Sequence, residues 1–466
     1  MRRVGWIVLW LGVSLQPAYA TVEEDLALDG DFNRPAPEQV PALTQNPQPQ
    51  APIEKPPYDV TQPLTLNDLW ALSYSASPEV IQQQVAIERA SADRRLAGSL
   101  DSWKAGIEGR LGWREFANES QDHHRFALRV NKRLYDGNSA EQRQRSADLL
   151  WQSERQRLSE LQNRYRLRLL QRYFEVLLVD MRYRVANENM AVVYVALDKA
   201  KDQLEAGEIS DVTYAEKNYQ YQQALVERQS AEAAQQQTRR ALANAAGFPD
   251  AIPDQLQLPA LKKVQQAVKN LPDLETLQRQ VLQNNPQVQA LQQKITAQQA
   301  QVAAARTEGG ATLDANAWVG ALSSHPEIRE GHWRFDLTLN APLYDGGQTD
   351  AKVSQAKAEL HQAISQLQTL QQQLRDQVAD LYFQLSLYQS KLKRVKAFGD
   401  YADLYLDYSR ALYEHEERTD LGDAMVQLSK VDLQNIEQNL QMAYQWASLQ
   451  IALGKDLTPE LMPIED

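Results

Sequence analysis

The sequence predicts a mainly α-helical protein with a β-barrel part: internally duplicated long helical coiled coils, plus four amphipathic strands per protomer that form a twelve-stranded barrel and a helical tunnel in a trimer. Three observations carry this. A set of motifs recurs in register, proline-free stretches allow helices on the order of 100 Å long, and segments alternating with period two stand directly before those stretches.

Repeats dictate architecture. Here Leu134-Tyr135-Asp136-Gly137 recurs as Leu343-Tyr344-Asp345-Gly346, an offset of 209 residues. The same offset carries Ser210-Asp211 onto Thr419-Asp420, and nearly the same one carries Ser77-Pro78-Glu79 onto Asn285-Pro286-Gln287 and Gly247 onto Gly454. Anchors in register over more than 150 residues point to duplication. The first copy is expected over 64–248 and the second over 273–454, joined by 249–272 and followed by a tail at 455–466. Each copy runs helix, two alternating segments, a very long helix, a turn and a further helix.

No proline falls between Asn138 and Phe248, or between Leu343 and Thr458, so continuous helix is permitted in both copies. In the second, Leu360, Ile364, Leu367, Gln371, Leu374, Val378, Leu381, Leu385, Tyr388, Leu392 and Val395 alternate steps of four and three, the period of a supercoiled seam. Only Gln371 interrupts the apolar run. The first long helix, from Asn138 to about Ala206, follows the seam less strictly, with Arg155 and Arg172 at equivalent places.

Strands are expected at about 105–115, 124–134, 311–321 and 332–343. Ile107, Leu111 and Trp113 alternate with Glu108, Arg110 and Arg114, and Phe126, Leu128 and Val130 with Arg125, Arg129 and Arg133. In the second copy Leu313, Ala315, Ala317 and Val319 alternate with Thr312, Asp314 and Asn316, then Trp333, Phe335, Leu337 and Leu339 with Arg334, Asp336, Thr338 and Asn340. Such alternation over about ten residues, with aromatics near the ends, marks a strand with lipid on one side and water on the other. Arg110, Arg114, Arg125, Arg129, Arg133, Arg334 and Asp336 are the expected lumen residues.

Four strands cannot close a barrel, and an open edge in hydrocarbon leaves backbone groups unpaired at several kcal/mol each. Oligomerisation is therefore required. Two copies give about eight strands and a lumen filled by side chains; three give about twelve and leave an aqueous passage, which suits an arginine-rich inner face.

The first twenty residues read as a secretory signal: Arg2 and Arg3, an apolar run from Val4 to Val13, and a small-residue cleavage site at Ala18-Tyr19-Ala20. A proline-rich extension, 21–63, lacks the composition to bury a core and is expected to be extended or disordered. Cysteine is absent, which excludes disulfides, cysteine zinc sites and a thiol nucleophile. With 49 basic against 61 acidic residues the formal charge is -12, so nucleic acid is not an expected partner.

The order of signal, Ser-Pro-Glu or Asn-Pro-Gln helix, strand pair, Ala341-Pro342-Leu343-Tyr344-Asp345-Gly346-Gly347 and long helix resembles the outer-membrane efflux protein (TolC) family, from about Leu64 to Gly454. The resemblance implies a homotrimer in outer-membrane lipid, with a tunnel across the periplasm that meets a periplasmic adaptor (membrane fusion) protein and an energised inner-membrane transporter. Substrates would leave passively through it, by efflux or type I secretion. Two turns lie one long helix from the barrel, Gly207-Glu208-Ile209-Ser210-Asp211 and Glu416-Glu417-Arg418-Thr419-Asp420. Adaptor contact is expected there, at Gly207, Ser210, Asp211 and Thr419. The family's Asp-Val-Leu-Asp-Ala at the tunnel's inner end corresponds to Asp420-Leu421-Gly422-Asp423-Ala424, which makes Asp420 and Asp423 the expected pore constriction, with Gly422 loosening the turn between them. Residues three apart share a helix face, so both aspartates can point at the axis. By the same resemblance 249–272 and the tail form a belt at mid-tunnel.

Catalytic chemistry is not expected. None of His123, His124, His325, His332, His361 and His415 has the helical spacing of a zinc hydrolase, and no phosphate-cradling glycine loop is present. Asp345-Gly346-Gly347 reads as a strand-to-helix turn capped by Asp345. No cofactor or metal is expected. The alternative class, a periplasmic structural or adaptor coiled coil without a pore, shares the seams but has no use for amphipathic hairpins.

Overall fold

The computed structural model describes residues 62–72, 77–116, 119–122, 125–251, 253–321, 332–414 and 421–458, with 114–116, 119–122, 125 and 321 described by backbone alone. The expected signal and nearly all of the proline-rich extension lie outside these residues, as do Thr419 and Asp420.

Each repeat opens with a short helix, α1 (Leu66–Trp70) in the first and α6 (Leu274–Asn284) in the second, with α5 (Lys262–Lys269) in the connector. Thr65 and Asp68 form a capping box at α1, and Asp273 caps α6 through Thr276 N–H at 3.0 Å. Helices α2 (Pro78–Gly98) and α7 (Pro286–Glu308) follow, each with proline at its first position, where the missing N–H costs nothing. At α7 the Asn285 side chain accepts from Gln287 N–H at 2.9 Å and donates to the Ala452 carbonyl at 3.1 Å. A Cβ at Gly454 would stand 2.2 Å from the Asn284 carbonyl oxygen. Two anchors of the duplicated pattern, Asn285 and Gly454, thus meet where one helix begins and another ends.

The strands come next: β1 (Lys104–Arg110), β2 (Trp113–Phe116), β3 (Glu119–Asp122) and β4 (Arg125–Tyr135) in the first repeat, β5 (Thr312–Ala321) and β6 (Trp333–Asn340) in the second. Four form one antiparallel sheet in the order β1-β4-β5-β6, and β2 and β3 form a separate ladder. The strand expected over 105–115 is therefore two. Leu111 and Gly112 leave the ladder, a place where glycine weakens strand pairing, and the chain pairs again with a different partner.

Strand passes to helix through the repeated Leu-Tyr-Asp-Gly. Gly137 and Asn138, and Gly346 and Gly347, occupy the left-handed region with φ of 67°, 66°, 69° and 84°. Asp136 accepts from Ala140 N–H at 2.7 Å; Asp345 accepts from Gly347 and Thr349 N–H at 2.9 and 2.8 Å. The motif recurs because it makes a sharp corner and caps the helix leaving it.

From the first corner α3 (Ser139–Glu205) runs 67 residues, about 100 Å, then turns into α4 (Asp211–Ala246). From the second, α8 (Gln348–Ser386) and α9 (Tyr388–Glu414) follow, then α10 (Leu421–Ala452). The single long helix expected here is divided at Leu387, yet Leu387 N–H reaches the Phe383 carbonyl at 3.1 Å and Lys391 N–H the Leu387 carbonyl at 3.0 Å, so the hydrogen-bond ladder crosses the division. Every one of the eleven seam residues is buried or half-buried, Gln371 included.

The main core lies at the middle of the long helices, where α3, α8 and α10 meet α1, α5, α6 and the tail. Tyr173 is fully buried, and its hydroxyl donates to the Leu64 carbonyl at 2.9 Å and contacts that of Gln257. Leu64 and Leu256 are bridged as parallel strands. The tail is tied to α3 by Leu457 N–H on the Asn163 side chain at 3.0 Å and by Arg166 on the Leu457 carbonyl at 2.8 Å.

Candidate functional site

In an antiparallel sheet directly paired residues share a face, so the register sorts the side chains without ambiguity. One face carries Ile107, Phe126, Leu128, Val130, Ala317, Val319, Trp333, Phe335, Leu337 and Leu339. Apart from the half-buried Val130 and Ala317, these apolar side chains lack cover in the single chain: Ile107 and Trp333 are each 73% exposed and Leu339 70%. The same face holds Lys132 at the helical end of β4, its ammonium 5.6 Å from the Trp103 ring centre.

The opposite face is polar. Arg110 pairs with Arg125, Arg129 with Trp318 and onward with Arg334, Asn131 with Asn316 and Asp336, and Arg133 with Asp314. Glu108 and Lys104 share this face. Arg133 and Asp314 form an ion pair at 2.9 Å, and Arg334 pairs with Asp336 at 2.8 Å. Six of the seven lumen residues read from the sequence lie on the four-stranded sheet. Arg114 does not: it stands in β2 opposite Gln121, beyond the sheet's end. Trp318 and Lys104 belong to the polar face and were absent from that reading, although the phase of alternation in β1 and β5 already assigned them to it.

The hairpin tips are at the other end of the helices. Gly207 ends α3 with φ of 72°, and Glu208 N–H reaches back to the Gln203 carbonyl at 2.8 Å, the usual closure of a helix by a left-handed residue. Ser210 caps α4 by accepting from Thr213 N–H at 3.2 Å, with Asp211 in the first turn beside it. Asp423 stands in the first turn of α10, and its carboxylate accepts from the Tyr405 hydroxyl of α9 at 3.2 Å. Gly422 has a different role from the one expected. It is helical, and a Cβ there would come within 2.9 Å of Val192 Cγ2, so glycine allows α10 to pass close against α3.

Where strands meet helices, Glu308 at the end of α7 receives Lys352 of α8 and, at 2.6 Å, Arg143 of α3. The hydrogen bond from Lys352 and the charge of Arg143 hold its carboxyl below the usual glutamate range. Among the described residues no group of acidic or histidine side chains is disposed to hold a metal ion, and no helix is long and apolar enough to cross a membrane.

Residues 277–455 match the model of the outer membrane efflux protein family. No curated protein matches the chain. Among solved structures, the chain is similar to a membrane protein from Pseudomonas aeruginosa, with 18% identity and a TM-score of 0.69 over 85% of this chain and 92% of that one. It is similar to the outer membrane protein VceC of Vibrio cholerae at 15% identity and a TM-score of 0.68, over 84% and 97% of the two chains. The Campylobacter jejuni CmeC outer membrane channel shares 13% identity, with a TM-score of 0.67 over 84% of each chain. At these identities the structures speak to fold, which extends the likeness from the second repeat to both. The second repeat thus carries the sequence pattern of the outer membrane efflux protein family, and both repeats share the fold of these outer membrane proteins.

Proposed function

We propose that three copies of this chain close a twelve-stranded barrel in the outer membrane and a helical tunnel below it, forming a passive exit channel for substrates that an inner-membrane transporter delivers through a periplasmic adaptor. The observation that carries this is the four-stranded sheet, apolar and uncovered on one face, charged on the other, and standing at the end of a helix of about 100 Å. A soluble coiled coil has no place to bury such a face. Hydrocarbon accepts it, provided that the free edges of β1 and β6 are paired by neighbouring copies.

Asp420 and Asp423 then form two rings of three carboxylates at the tunnel's inner end, and the tips around Gly207, Ser210, Asp211 and Thr419 meet the adaptor. Like charges in a narrow mouth are costly unless cations enter, so the rings favour cations and bind multivalent ones. Planar-bilayer recording of the purified chain tests both parts of the reading. We expect discrete conductance, blocked by a trivalent cation, and loss of that block in the Asp420→Ala/Asp423→Ala double variant. Absence of conductance contradicts the channel; unchanged block in the double variant removes these aspartates from the constriction.

A further inference from the structure

One rung of the sheet is built differently from the rest. Reading across the polar face, it runs Gly106 on β1, Arg129 on β4, Trp318 on β5 and Arg334 on β6. The guanidinium carbons of Arg129 and Arg334 lie 5.3 Å and 5.5 Å from the Trp318 ring centre, within the range of cation–π attraction. The indole N–H donates to Glu108 on β1 at 3.3 Å. To get there it spans β4 beside Ala127, which is 1% exposed. On the neighbouring rung Ala127 pairs with Gly320, whose missing Cβ would have met the Ala127 Cα at 2.7 Å. The indole is therefore fixed as a plate by contacts from three other strands, over a floor of small residues.

The two arginines differ in how far they are neutralised. Arg334 is paired with Asp336, whereas Arg129 is held by the neutral Asn316 side chain at 3.4 Å and by the ring, and among the described residues no carboxylate forms an ion pair with it. Both guanidinium groups lie over the half-exposed ring, and Arg129, itself exposed and without an ion pair among the described residues, adds a planar cationic face, so aromatic area and positive charge stand together. The ligand that matches both is planar and carries an anionic group at its edge.

We infer that the Arg129–Trp318–Arg334 rung is a binding site for planar aromatic anions, a station for cargo of that class inside the barrel. The inference rests on the proposed channel, in which threefold symmetry repeats the rung around one level of the lumen. It narrows the cargo by chemistry: aromatic carboxylates, sulfonates or phosphates, in preference to aliphatic anions of equal charge.

The test is block of the purified full chain in a planar bilayer by a naphthalene disulfonate, compared with an aliphatic disulfonate of matched charge. Stacking on an aromatic side chain and cation–π contact predict a preference of roughly tenfold for the aromatic anion. Trp318→Leu should abolish the preference, Trp318→Phe should retain part of it, and Arg129→Gln should weaken block by the aromatic anion several-fold. Equal block by the two anions in the wild type, or a preference that survives Trp318→Leu, overturns the inference while the channel stands. Absence of conductance sinks the channel, and calorimetric titration of the detergent-solubilised full chain with the naphthalene disulfonate then decides the site: heat of binding lost in Trp318→Leu supports it, and none in the wild type refutes it. Gel mobility of the unheated protein monitors folding of each variant.

Discussion

The two faces of the sheet differ in what they tolerate, and adjacent residues of β6 expose the difference. Leu337 lies on the apolar face, 58% exposed, and Thr338 on the polar face opposite Asp314. The eight residues of β6 span about 26 Å, and Leu337 is the fifth of them, so in the proposed barrel it sits near mid-membrane. A charge on the lipid face at that depth costs about 2–4 kcal/mol, and the three copies of the proposed trimer bring the penalty to roughly 6–12 kcal/mol. Thr338→Arg adds the same charge on the water side, beside a carboxylate, where about 0–1 kcal/mol is at stake. The assay is the yield of heat-modifiable trimer extracted from membranes, followed by its urea midpoint. Leu337→Arg should lose the trimer and Thr338→Arg keep it. Equal yields of the two, low or high, would refute the assignment of faces.

Four further outcomes follow from particular contacts. Tyr173→Phe removes a buried hydroxyl that ties α3 to the Leu64 segment and should lower stability by about 1–2 kcal/mol, read as a lower thermal midpoint in detergent. Gly422→Ala drives a Cβ against Val192, a stiff side chain, and should cost about 1–3 kcal/mol, most of it recovered by adding Val192→Ala. Glu308 has a carboxyl lowered by Lys352 and Arg143; its stabilisation is present above the ordinary glutamate pKa and lost as pH falls through the lowered folded value, so acid unfolding should be shallower in Glu308→Gln. Photo-crosslinkers at Ser210 and Thr419 should capture a periplasmic protein in cells; capture only from positions near Leu343 would reverse the orientation.

Much of this architecture was legible because the signals were local. Proline-free runs, the Asp136-Gly137 corner and Gly207 delimit α3, and proline after Ser77 and Asn285 marks two helix starts. The alternation also gave the faces of β4, β5 and β6. What was not legible depends on partners distant in the chain. Alternation continues through Gly112 although the hydrogen-bonding partner changes there, so β2 could not be separated from β1. Gly422 read as a loose turn because Val192, the side chain that requires it to be glycine, lies on another helix. Trp318 had the right phase but looked like one more aromatic, and only the register that puts Arg129 and Arg334 on its two sides gives it a role.

Closure of the barrel by three copies is the central claim, and the free edges of β1 and β6 permit a direct measurement. Cysteines, absent from the natural chain, can be placed one on β1 and one on β6 as a panel of pairs, then oxidised in membranes, with the product mass read under denaturing conditions. The account predicts, for pairs in register, covalent products that end at three times the mature chain. A ladder that stops at two chains, or crosslinking confined to a single chain, would contradict it.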